Sequence, residues 1–230
     1  MCLHVAGIPK GHNMKKLISI ITPCYNEEDN IKDCYKEVRA VFENTLQDYD
    51  YEHIFCDNAS GDNTLNILRE LAGKDSRIKV IANSRNYGPF RSTFNGLMNS
   101  RGDAVLVLLA ADLQDPPGML KDFVVKWEEG YQIVYGIRKE REENRIMSSV
   151  RKTFYRVVNR FADFHIPPDV AEFQLVDKVV IDALRRFEDY YPYIRGMIAS
   201  CGFKSAGIGY VWKARKKGSS KNRIYHLIDQ

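Results

Sequence analysis

The chain contains a short acidic segment, Asp-Leu-Gln-Asp-Pro-Pro at residues 112–117, directly after the apolar residues 104–111. The apolar run predicts a buried strand, so the acidic segment would begin where that strand ends. In an open α/β sheet, the carboxyl ends of the strands form the edge where ligands bind. Asp112, Gln114 and Asp115 carry the oxygen atoms that a divalent cation prefers, and such a cation would hold a phosphate. An acidic turn closed by prolines is the alternative for this segment alone.

The rest of the chain supplies the elements that would position this segment. Apolar runs predict strands, and residues with helical periodicity between them predict helices. The strands are predicted at residues 17–22, ended by Pro23, and at 51–56, 78–82, 104–109 and 133–135. The helices are predicted at residues 31–42, 65–72, 89–98 and 120–127. This alternation predicts an α/β fold with a mostly parallel sheet, right-handed crossovers and helices on both faces.

Four more segments would meet the acidic segment at the same edge of the sheet, at residues 23–28, 57–64, 84–88 and 136–141. In the first of them, Asn26 is predicted to cap the following helix, and Glu27 and Glu28 favour the helix dipole. A binding role is the alternative for these residues. In the second segment, Asp57 would accept hydrogen bonds from a nucleobase or a ribose, whereas Asp62 is predicted to cap the next helix.

The composition favours one large domain. The chain has 230 residues, of which 44% are hydrophobic, and it can therefore bury a full core. We predict a disordered leader at residues 1–13 and a single domain at residues 14–230. Within that domain, residues 145–230 would contribute a long helix and then a basic carboxyl-terminal segment.

Positive charge is concentrated near the carboxyl terminus, although the net charge is only +4. Such a cluster predicts an anionic partner: nucleic acid, an anionic membrane surface or a phosphorylated small molecule. Aromatic and aliphatic side chains alternate with these cations and would rest either at a bilayer interface or in the core. The cations are Lys213, Arg215, Lys216, Lys217, Lys221 and Arg223, and the apolar residues are Tyr210, Trp212, Tyr225, Leu227 and Ile228.

The five cysteines are widely spread and include no C-x-x-C pair. This pattern predicts neither a disulfide framework nor a zinc site, and it fits a reducing cytosol. No apolar run approaches the ~20 residues that span a bilayer. We therefore expect a cytoplasmic protein that reaches the membrane, if at all, as a peripheral protein. The sequence leaves the oligomeric state open, a homo-oligomer included.

The motifs at the sheet edge occur in an order that resembles family 2 glycosyltransferases with the GT-A fold. The chain is most similar to the polyprenyl-phosphate glycosyltransferase group, relatives of dolichol-phosphate mannose synthase. The resemblance extends from residue 17 to about residue 221 and includes residues 136–138 (Gly-Ile-Arg), 172–175 (Glu-Phe-Gln-Leu), 195–196 (Arg-Gly) and 215–221. It implies an inverting enzyme that moves a sugar from a UDP- or GDP-linked donor to a polyprenyl phosphate with Mg²⁺ or Mn²⁺. Nucleic acid is then not an expected partner.

The resemblance also implies a role for each matching position. Asp112 and Gln114 would hold the metal, and Asp112, Asp115 and Glu172 would be the catalytic residues. Arg138 and Arg151 would receive the acceptor phosphate, unless they are solvated residues of a surface turn and a mixed helix. The donor-binding residues would be Pro23, Tyr25, Glu27, Asp57, Arg85, Gln114, Arg215 and Lys221.

Two positions depart from the family pattern. Ala110 stands where the family usually has an aspartate two places before Asp112. Mg²⁺ commonly binds through one or two carboxylates and the substrate phosphates, so activity is still expected. Asn58 and Ala59 likewise replace the usual Asp-Gly that follows Asp57. This second departure leaves the identity of the nucleotide open.

Two other functions remain alternatives at this point. A lipid phosphate with a second pKa of ~6 is already a nucleophile at neutral pH and needs no strong base. If the acceptor were instead a hydroxyl of a polysaccharide or a lipid-linked oligosaccharide, Asp115 or Glu172 would have to act as a general base. The third interpretation is a non-catalytic nucleotide-binding module, which the alanine at position 110 motivates.

Overall fold

The computed structural model describes residues 15–138, 170–187 and 192–213. Its sheet has seven strands in the order β3-β2-β1-β4-β6-β5-β7. The strands are β1 (Lys16–Cys24), β2 (Tyr49–Asp57), β3 (Ile78–Ala82), β4 (Ala104–Leu106), β5 (Ile133–Arg138), β6 (Val170–Asp177) and β7 (Ser205–Tyr210). The helices are α1 (Ile31–Asn44), α2 (Thr64–Lys74), α3 (Pro89–Met98), α4 (Leu120–Glu128), α5 (Lys178–Leu184) and α6 (Ile194–Ser200), with a 3₁₀ turn at Pro117–Met119.

The predicted mostly parallel sheet is confirmed. β1 is parallel to β2 and β4, β2 is parallel to β3, and β5 is parallel to β7. β6 runs antiparallel to both of its neighbours, β4 and β5. The carboxyl ends of the parallel strands therefore lie at one edge of the sheet, and β6 begins at that same edge.

The helices cover both faces of the sheet, also as predicted. One core cluster joins α1, α2 and α4 to sheet residues such as Ile20 and Phe55. The other joins α3, α5 and α6 to residues such as Ile21 and Ile54. Successive residues of a strand point to opposite faces, and this is why neighbours in β1 and in β2 belong to different clusters.

The prediction that Pro23 ends the first strand was wrong, because β1 continues to Cys24. The backbone oxygen of Ile21 faces β4 and accepts a bond from Leu109 N. Pro23 also faces the β4 side of β1. It lies beyond the part of β1 that pairs with β4, which ends at Leu106, so the N–H that proline lacks is not needed for a hydrogen bond between the two strands. β4 is shorter than predicted, although the chain after it still donates from Val107 N to Gln174 O.

Other predicted elements cannot be compared with the structure in this way. The leader at 1–13, the helix that begins near residue 145 and most of the basic carboxyl-terminal segment lie outside the described residues. In the described ranges, no helix combines the length and the apolar character needed to cross a bilayer.

Candidate active site

Three loops at the carboxyl edge of the sheet contain strained backbone. They are the β1 loop (residues 25–30), the β2 loop (58–63) and the β4 loop (107–116), and each contains one non-glycine residue with a left-handed φ. These residues are Asn26 (53°), Ala59 (57°) and Leu113 (58°), and no other non-glycine residue in the described ranges has a positive φ. Such conformations cost about 1–3 kcal/mol each and cluster at functional sites.

The β1 and β2 loops are bound together by hydrogen bonds that use side chains as partners. Asn26 Oδ1 accepts a bond from Gly61 N at 2.7 Å, and Asn26 N donates to Ser60 Oγ at 2.9 Å. Glu27 N donates to Thr64 Oγ1 at 2.8 Å. These bonds hold the two loops as one unit, so the ends of β1 and β2 present a single rigid surface.

The prediction that Asn26 caps α1 was wrong, whereas Asp62 makes the predicted side-chain bond at the start of α2. Asn30, not Asn26, occupies the N-cap position of α1, because the Asn26 side chain is bonded to the β2 loop. Asn63, not Asp62, occupies the N-cap position of α2. The carboxylate of Asp62 still accepts a bond from Thr64 N at 3.0 Å and therefore supports the start of that helix.

Asp57 ends β2 with its side chain fully buried. Its Oδ2 accepts a bond from Ser60 N at 3.2 Å, but its Oδ1 has no hydrogen-bond partner in the part of the chain that the structure describes. A buried polar atom without a partner costs about 1–3 kcal/mol. An N–H or O–H group of a ligand would remove that cost. Pro23, partly buried, and Tyr25, 38% exposed, lie next to the end of the adjacent β1.

The β4 loop carries the predicted metal ligands. Asp112 Oδ1 accepts a bond from Gln114 N at 3.2 Å, which makes the turn compact. Lys213 N donates to Gln114 O at 3.0 Å, and Gln114 Nε2 donates to Lys213 O at 3.4 Å. Since the amide nitrogen is bonded to Lys213, the amide oxygen is the atom that Gln114 can offer to a cation.

The donor atoms of this loop fit a hard cation that is shared with a substrate. One carboxylate and one carboxamide supply oxygen ligands of the kind that Mg²⁺ and Mn²⁺ accept. Within the described ranges, no group of three histidine, cysteine, aspartate or glutamate side chains is arranged to hold a metal. Water molecules and the phosphates of a ligand could complete the coordination.

A second cluster, which we call the Arg138 cluster, lies where β5 and β7 end. It consists of Asp115, Arg138, Tyr210 and Trp212. Asp115 is 3% exposed and accepts bonds from Tyr210 Oη and from Arg138 Nη2, the latter at 3.4 Å. Arg138 Nε donates to Tyr210 Oη at 3.1 Å, and its guanidinium lies 4.8 Å from the centre of the Trp212 ring. Burial lowers the pKa of Arg138, but Asp115 and Tyr210 outweigh this effect and raise it above the ordinary value.

Glu172 lies near the start of β6, where the pairing with β5 is interrupted by a bulge between Tyr135 and Ile137. Its carboxylate is 3.7 Å from Arg195 Nε. Burial raises the pKa of Glu172, and the charges of Arg195 and Arg138 only partly offset this. Bulges commonly redirect a side chain next to an active site. The structure thus brings a second arginine, Arg195, to the side of the site that contains Arg138.

The remaining predicted residues lie elsewhere. Arg85 lies on the exposed loop before α3, where its guanidinium is 4.4 Å from the Tyr87 ring centre. Arg151, Arg215 and Lys221 lie outside the described residues. Sequence reasoning gave no site role to Tyr210, Trp212 or Arg195. Arg195 was part of a family motif, whereas the contact between Tyr210 and Asp115 joins segments far apart in sequence, and no local pattern indicates it.

Comparison with protein families gives a match to the model described as glycosyl transferase family 2, over residues 19–185. An uncharacterized glycosyltransferase of Bacillus subtilis is 36% identical over 91% of this chain and 64% of its own length. A bactoprenol glucosyl transferase of Shigella phage SfV is 30% identical over 89% of this chain and 66% of its own length. The chain thus spans somewhat less than two thirds of the length of these relatives.

Solved structures of glycosyltransferases share the fold. A mannosyltransferase from Pyrobaculum calidifontis, in complex with GDP-Man and Mn²⁺, has a TM-score of 0.57 at 16% identity, covering 86% of this chain and 56% of its own. Glucosyl-3-phosphoglycerate synthase from Mycobacterium tuberculosis, with Mn²⁺, UDP-glucose and phosphoglyceric acid, has a TM-score of 0.56 at 17% identity, covering 92% and 74%. The predicted GT-A fold is confirmed.

Proposed function

Because the chain belongs to glycosyl transferase family 2, we propose that it transfers a sugar from a nucleotide-sugar donor to a polyprenyl phosphate, with inversion at the anomeric carbon. The observation that carries this proposal is that two clusters of charged side chains lie at the same edge of the sheet. An acidic donor side contains Asp57 and Asp112, and an acceptor side contains two arginines, Arg138 and Arg195, each of which faces a carboxylate. Relatives that are named bactoprenol glucosyl transferases support a polyprenyl-phosphate acceptor.

The donor nucleoside would bind across the ends of β1 and β2. The unpartnered Oδ1 of Asp57 would accept a bond from the ring N–H of uracil or guanine, consistent with a UDP- or GDP-linked donor. Pro23, Tyr25 and Glu27 would form the rest of this surface, and Arg85 would approach from the loop before α3. Since hydrogen bonds already hold the β1 and β2 loops together, little order has to be gained when the nucleoside binds.

The diphosphate would lie at the β4 loop. Asp112 and Gln114 would hold Mg²⁺ or Mn²⁺ there. When bound, such a cation would neutralise negative charge that develops on the departing diphosphate. Lys213, whose backbone is bonded to Gln114, brings the start of the basic carboxyl-terminal segment to this loop. Arg215 and Lys221 would then contact the leaving phosphates.

The reaction would be a single displacement. An oxygen of the acceptor phosphate forms a bond to the anomeric carbon, and the bond from that carbon to the diphosphate oxygen breaks. The electron pair leaves with the nucleoside diphosphate, and the configuration inverts. No proton has to be removed, because the second pKa of a phosphate monoester is ~6 and the acceptor is mostly a dianion at pH 7. Arg138, Arg195 and Arg151 would orient this dianion.

A hydroxyl acceptor is a second candidate, and the position of Glu172 favours it. A hydroxyl must lose a proton, and burial raises the pKa of the Glu172 carboxyl toward the range of a useful general base. Activity would then rise with pH as Glu172 ionises, whereas transfer to a phosphate would follow the ionisation of the phosphate. The pH profile of Glu172→Gln with each acceptor separates the two reactions.

The reaction would take place at the cytoplasmic face of a membrane, where a polyprenyl phosphate exposes its head group. Side chains near the acceptor side suit such a location. Tyr193, Val211 and Trp212 are 48%, 57% and 37% exposed. Aromatic side chains with an apolar body and a polar edge are typical of the interface between a bilayer and water.

The test begins with a thermal-shift screen of nucleotide sugars with and without Mn²⁺, and then measures transfer to polyprenyl phosphate. We expect one donor to raise the melting temperature and NMR to show a product with inverted configuration. Asp112→Ala should lower the rate by about 10²–10³-fold, whereas Asp122→Ala, on the exposed start of α4, should not. A retained configuration, or full activity of Asp112→Ala, would contradict the proposal.

A further inference from the structure

We propose that Tyr210 and Asp115 are positioning residues that hold the Arg138 guanidinium in one orientation at the acceptor side of the site. The inference rests on the proposed function in one respect, that Arg138 receives the acceptor phosphate. It gives Asp115 a role that differs from that of a general base. It also gives a role to Tyr210, which is far from Asp115 and Arg138 in the sequence but contacts both of them in the structure.

The Arg138 cluster joins three segments that are far apart in sequence. Asp115 follows β4, Arg138 ends β5, and Tyr210 ends β7. The hydroxyl of Tyr210 donates to Asp115 Oδ1 and accepts from Arg138 Nε at 3.1 Å. Burial and the nearby carboxylate raise the pKa of Tyr210, so the phenol keeps the proton that it donates. One hydroxyl therefore connects the carboxylate to the guanidinium.

Packing fixes where that hydroxyl lies. A Cβ atom at Gly136 would come within 2.7 Å of Tyr210 Cε1, so the absence of a side chain in β5 allows the ring to approach. The Tyr210 ring also lies 5.9 Å from the ring of Phe173 in β6. Tyr210 is 5% exposed. The ring is thus packed against β5 and β6, which limits how far its hydroxyl can move with the guanidinium.

The distances indicate that Arg138 is held less tightly by Asp115 than in a close ion pair. A tight charged pair has N–O distances of about 2.7–2.9 Å. Here Arg138 Nη2 lies 3.4 and 3.5 Å from the two oxygens of Asp115, and the closer partner of the carboxylate is Tyr210. Trp212 covers one face of the guanidinium at 4.8 Å. Such an arrangement preserves positive charge for an incoming phosphate.

The same contacts argue against Asp115 as a base. Both of its oxygens already accept hydrogen bonds. Oδ1 accepts bonds from Tyr210 and Arg138, and Oδ2 accepts a bond from Arg138. Its side chain is only 4% exposed. A general base must lie within hydrogen-bond reach of the proton that it removes. A substrate would have to displace Tyr210 or Arg138 before it could reach this carboxylate.

The test is Tyr210→Phe, which removes one hydroxyl and keeps the ring that packs against β5 and β6. The matched control is Tyr49→Phe, which removes a hydroxyl bonded to Glu128 at 3.0 Å at the start of β2, away from the site. We expect Tyr210→Phe to raise the KM for polyprenyl phosphate about tenfold, near the lower limit for one lost bond to a charged group, because Tyr210 acts on the acceptor only through Arg138. The KM for the donor should stay within about twofold, and the control should change neither value.

An NMR measurement tests the orientation without any reaction. In the ¹⁵N–¹H spectrum of the arginine Nε–H groups, the Arg138 signal, assigned with Arg138→Lys, should be sharp in the unchanged protein. It should broaden or disappear in Tyr210→Phe and persist in Tyr49→Phe. If Tyr210→Phe does not fold, Asp115→Asn, which keeps the size of the other positioning side chain but removes its charge, should produce the same change in KM and in the spectrum.

The outcomes separate this inference from the proposed function. An unchanged Arg138 signal in Tyr210→Phe, or an equal rise in both KM values, would overturn the positioning role. If the unchanged protein transfers no sugar to polyprenyl phosphate but the Arg138 signal collapses in Tyr210→Phe, the proposed acceptor is wrong and the positioning role stands. A lower melting temperature with normal KM values and a normal signal would mean that Tyr210 is structural only.

Discussion

Two buried carboxylates on the same strand have opposite surroundings. Glu52 lies near the middle of β2 and is 2% exposed, and Asp57 ends β2 and is 0% exposed. Glu52 accepts bonds from Ser19 Oγ at 2.6 Å and from Arg101 N at 2.8 Å, and it also pairs with Lys79. Asp57, in contrast, has one side-chain oxygen with no partner among the described residues.

The difference separates the middle of β2, where the buried charge stabilises the fold, from the carboxyl end of β2, where an acceptor is available to a ligand. At Glu52, every cost of burying a charge is offset by donors that the fold itself supplies. At Asp57, the fold leaves an acceptor unused, and the loops around it also contain the three left-handed residues. Natural proteins accept such local costs where a ligand will later contribute the missing interaction.

The largest effect that would test this comparison is expected for Glu52→Gln. Burial alone would raise the pKa of Glu52, but bonds from Lys79 and Ser19 lower it below the ordinary value. Glutamine has one acceptor oxygen and no charge, so more than one donor loses a charge-assisted bond, and we expect the free energy of unfolding to fall by about 3 kcal/mol. Urea unfolding at pH 7 measures this loss. The KM for the donor should not change.

Asp103→Asn is the matched control for this variant. Asp103 is exposed and accepts a bond from Leu17 N at 2.8 Å at the amino end of the sheet. We expect this substitution to cost less than about 1 kcal/mol. A loss of that small size for Glu52→Gln as well would show that the Glu52 network does not stabilise the fold.

The next largest effect is expected for Asp57→Asn, and it should appear in binding rather than in stability. Loss of a charged acceptor should weaken binding of the nucleotide sugar about thirtyfold, the value for one hydrogen bond to a charged group. The free energy of unfolding should stay within about 1 kcal/mol, because the oxygen that is replaced bonds to nothing in the described structure. Calorimetric titration and urea unfolding measure the two quantities.

The opposite result for Asp57→Asn would break the comparison. If this variant unfolded as readily as Glu52→Gln and still bound its donor normally, both carboxylates would serve the fold. Asp122→Asn, in the exposed first turn of α4, controls for the loss of a negative charge. It should change neither binding nor stability.

A third effect is expected for His53, which follows Glu52 in β2 and is fully buried. Burial lowers its pKa to about 3 from 6.5. Between these values the unfolded chain binds a proton that the folded chain does not, so stability must fall as the pH drops below 6.5. At 1.36 kcal/mol per pH unit, the loss between pH 6.5 and 5 is about 2 kcal/mol.

His53→Gln should remove this part of the acid sensitivity, because glutamine does not titrate. Urea unfolding at pH 7 and pH 5 measures the difference in each protein. Thr22→Val is the matched control, since Thr22 Oγ1 bonds to His53 Nε2 at 2.8 Å and its removal leaves the imidazole in place. The control should keep the loss of stability at pH 5. An equal loss in His53→Gln would exclude His53 as its cause.

Much of the donor side could be predicted from the sequence, because it depends on local patterns. Apolar runs predicted the strands, and parallel strands bring their carboxyl ends together, so Asp57 and Asp112 were expected at one edge. The cap of α1 was not predicted correctly. Asn26 has the right residue type for a cap, but it lies five residues before Ile31, and its side chain accepts a bond from Gly61 in another loop.

The acceptor side was less predictable, because its contacts join distant segments. No apolar pattern predicted β6 as a strand or indicated that it would run antiparallel. Asp115 was expected to be catalytic, and its burial against Tyr210 depends on the pairing of β5 with β7. Arg138, by contrast, was assigned to the acceptor through the family motif, and the structure places it at the same edge as the donor loops.

The smallest effect is expected at Ala59, in the strained β2 loop. Its φ of 57° is left-handed, where a Cβ atom costs about 1–2 kcal/mol. Ala59→Gly removes that cost. Glycine also raises the conformational entropy of the unfolded chain, which lowers the stability of the folded protein by about 0.4–1 kcal/mol. We therefore expect a net gain in stability of about 0.5 kcal/mol, whereas Ala72→Gly within α2 should lose about 1 kcal/mol. If urea unfolding showed that both variants lose stability equally, the alanine at position 59 would not be strained. The difference between the middle of β2 and its carboxyl end would then depend on Asp57 alone.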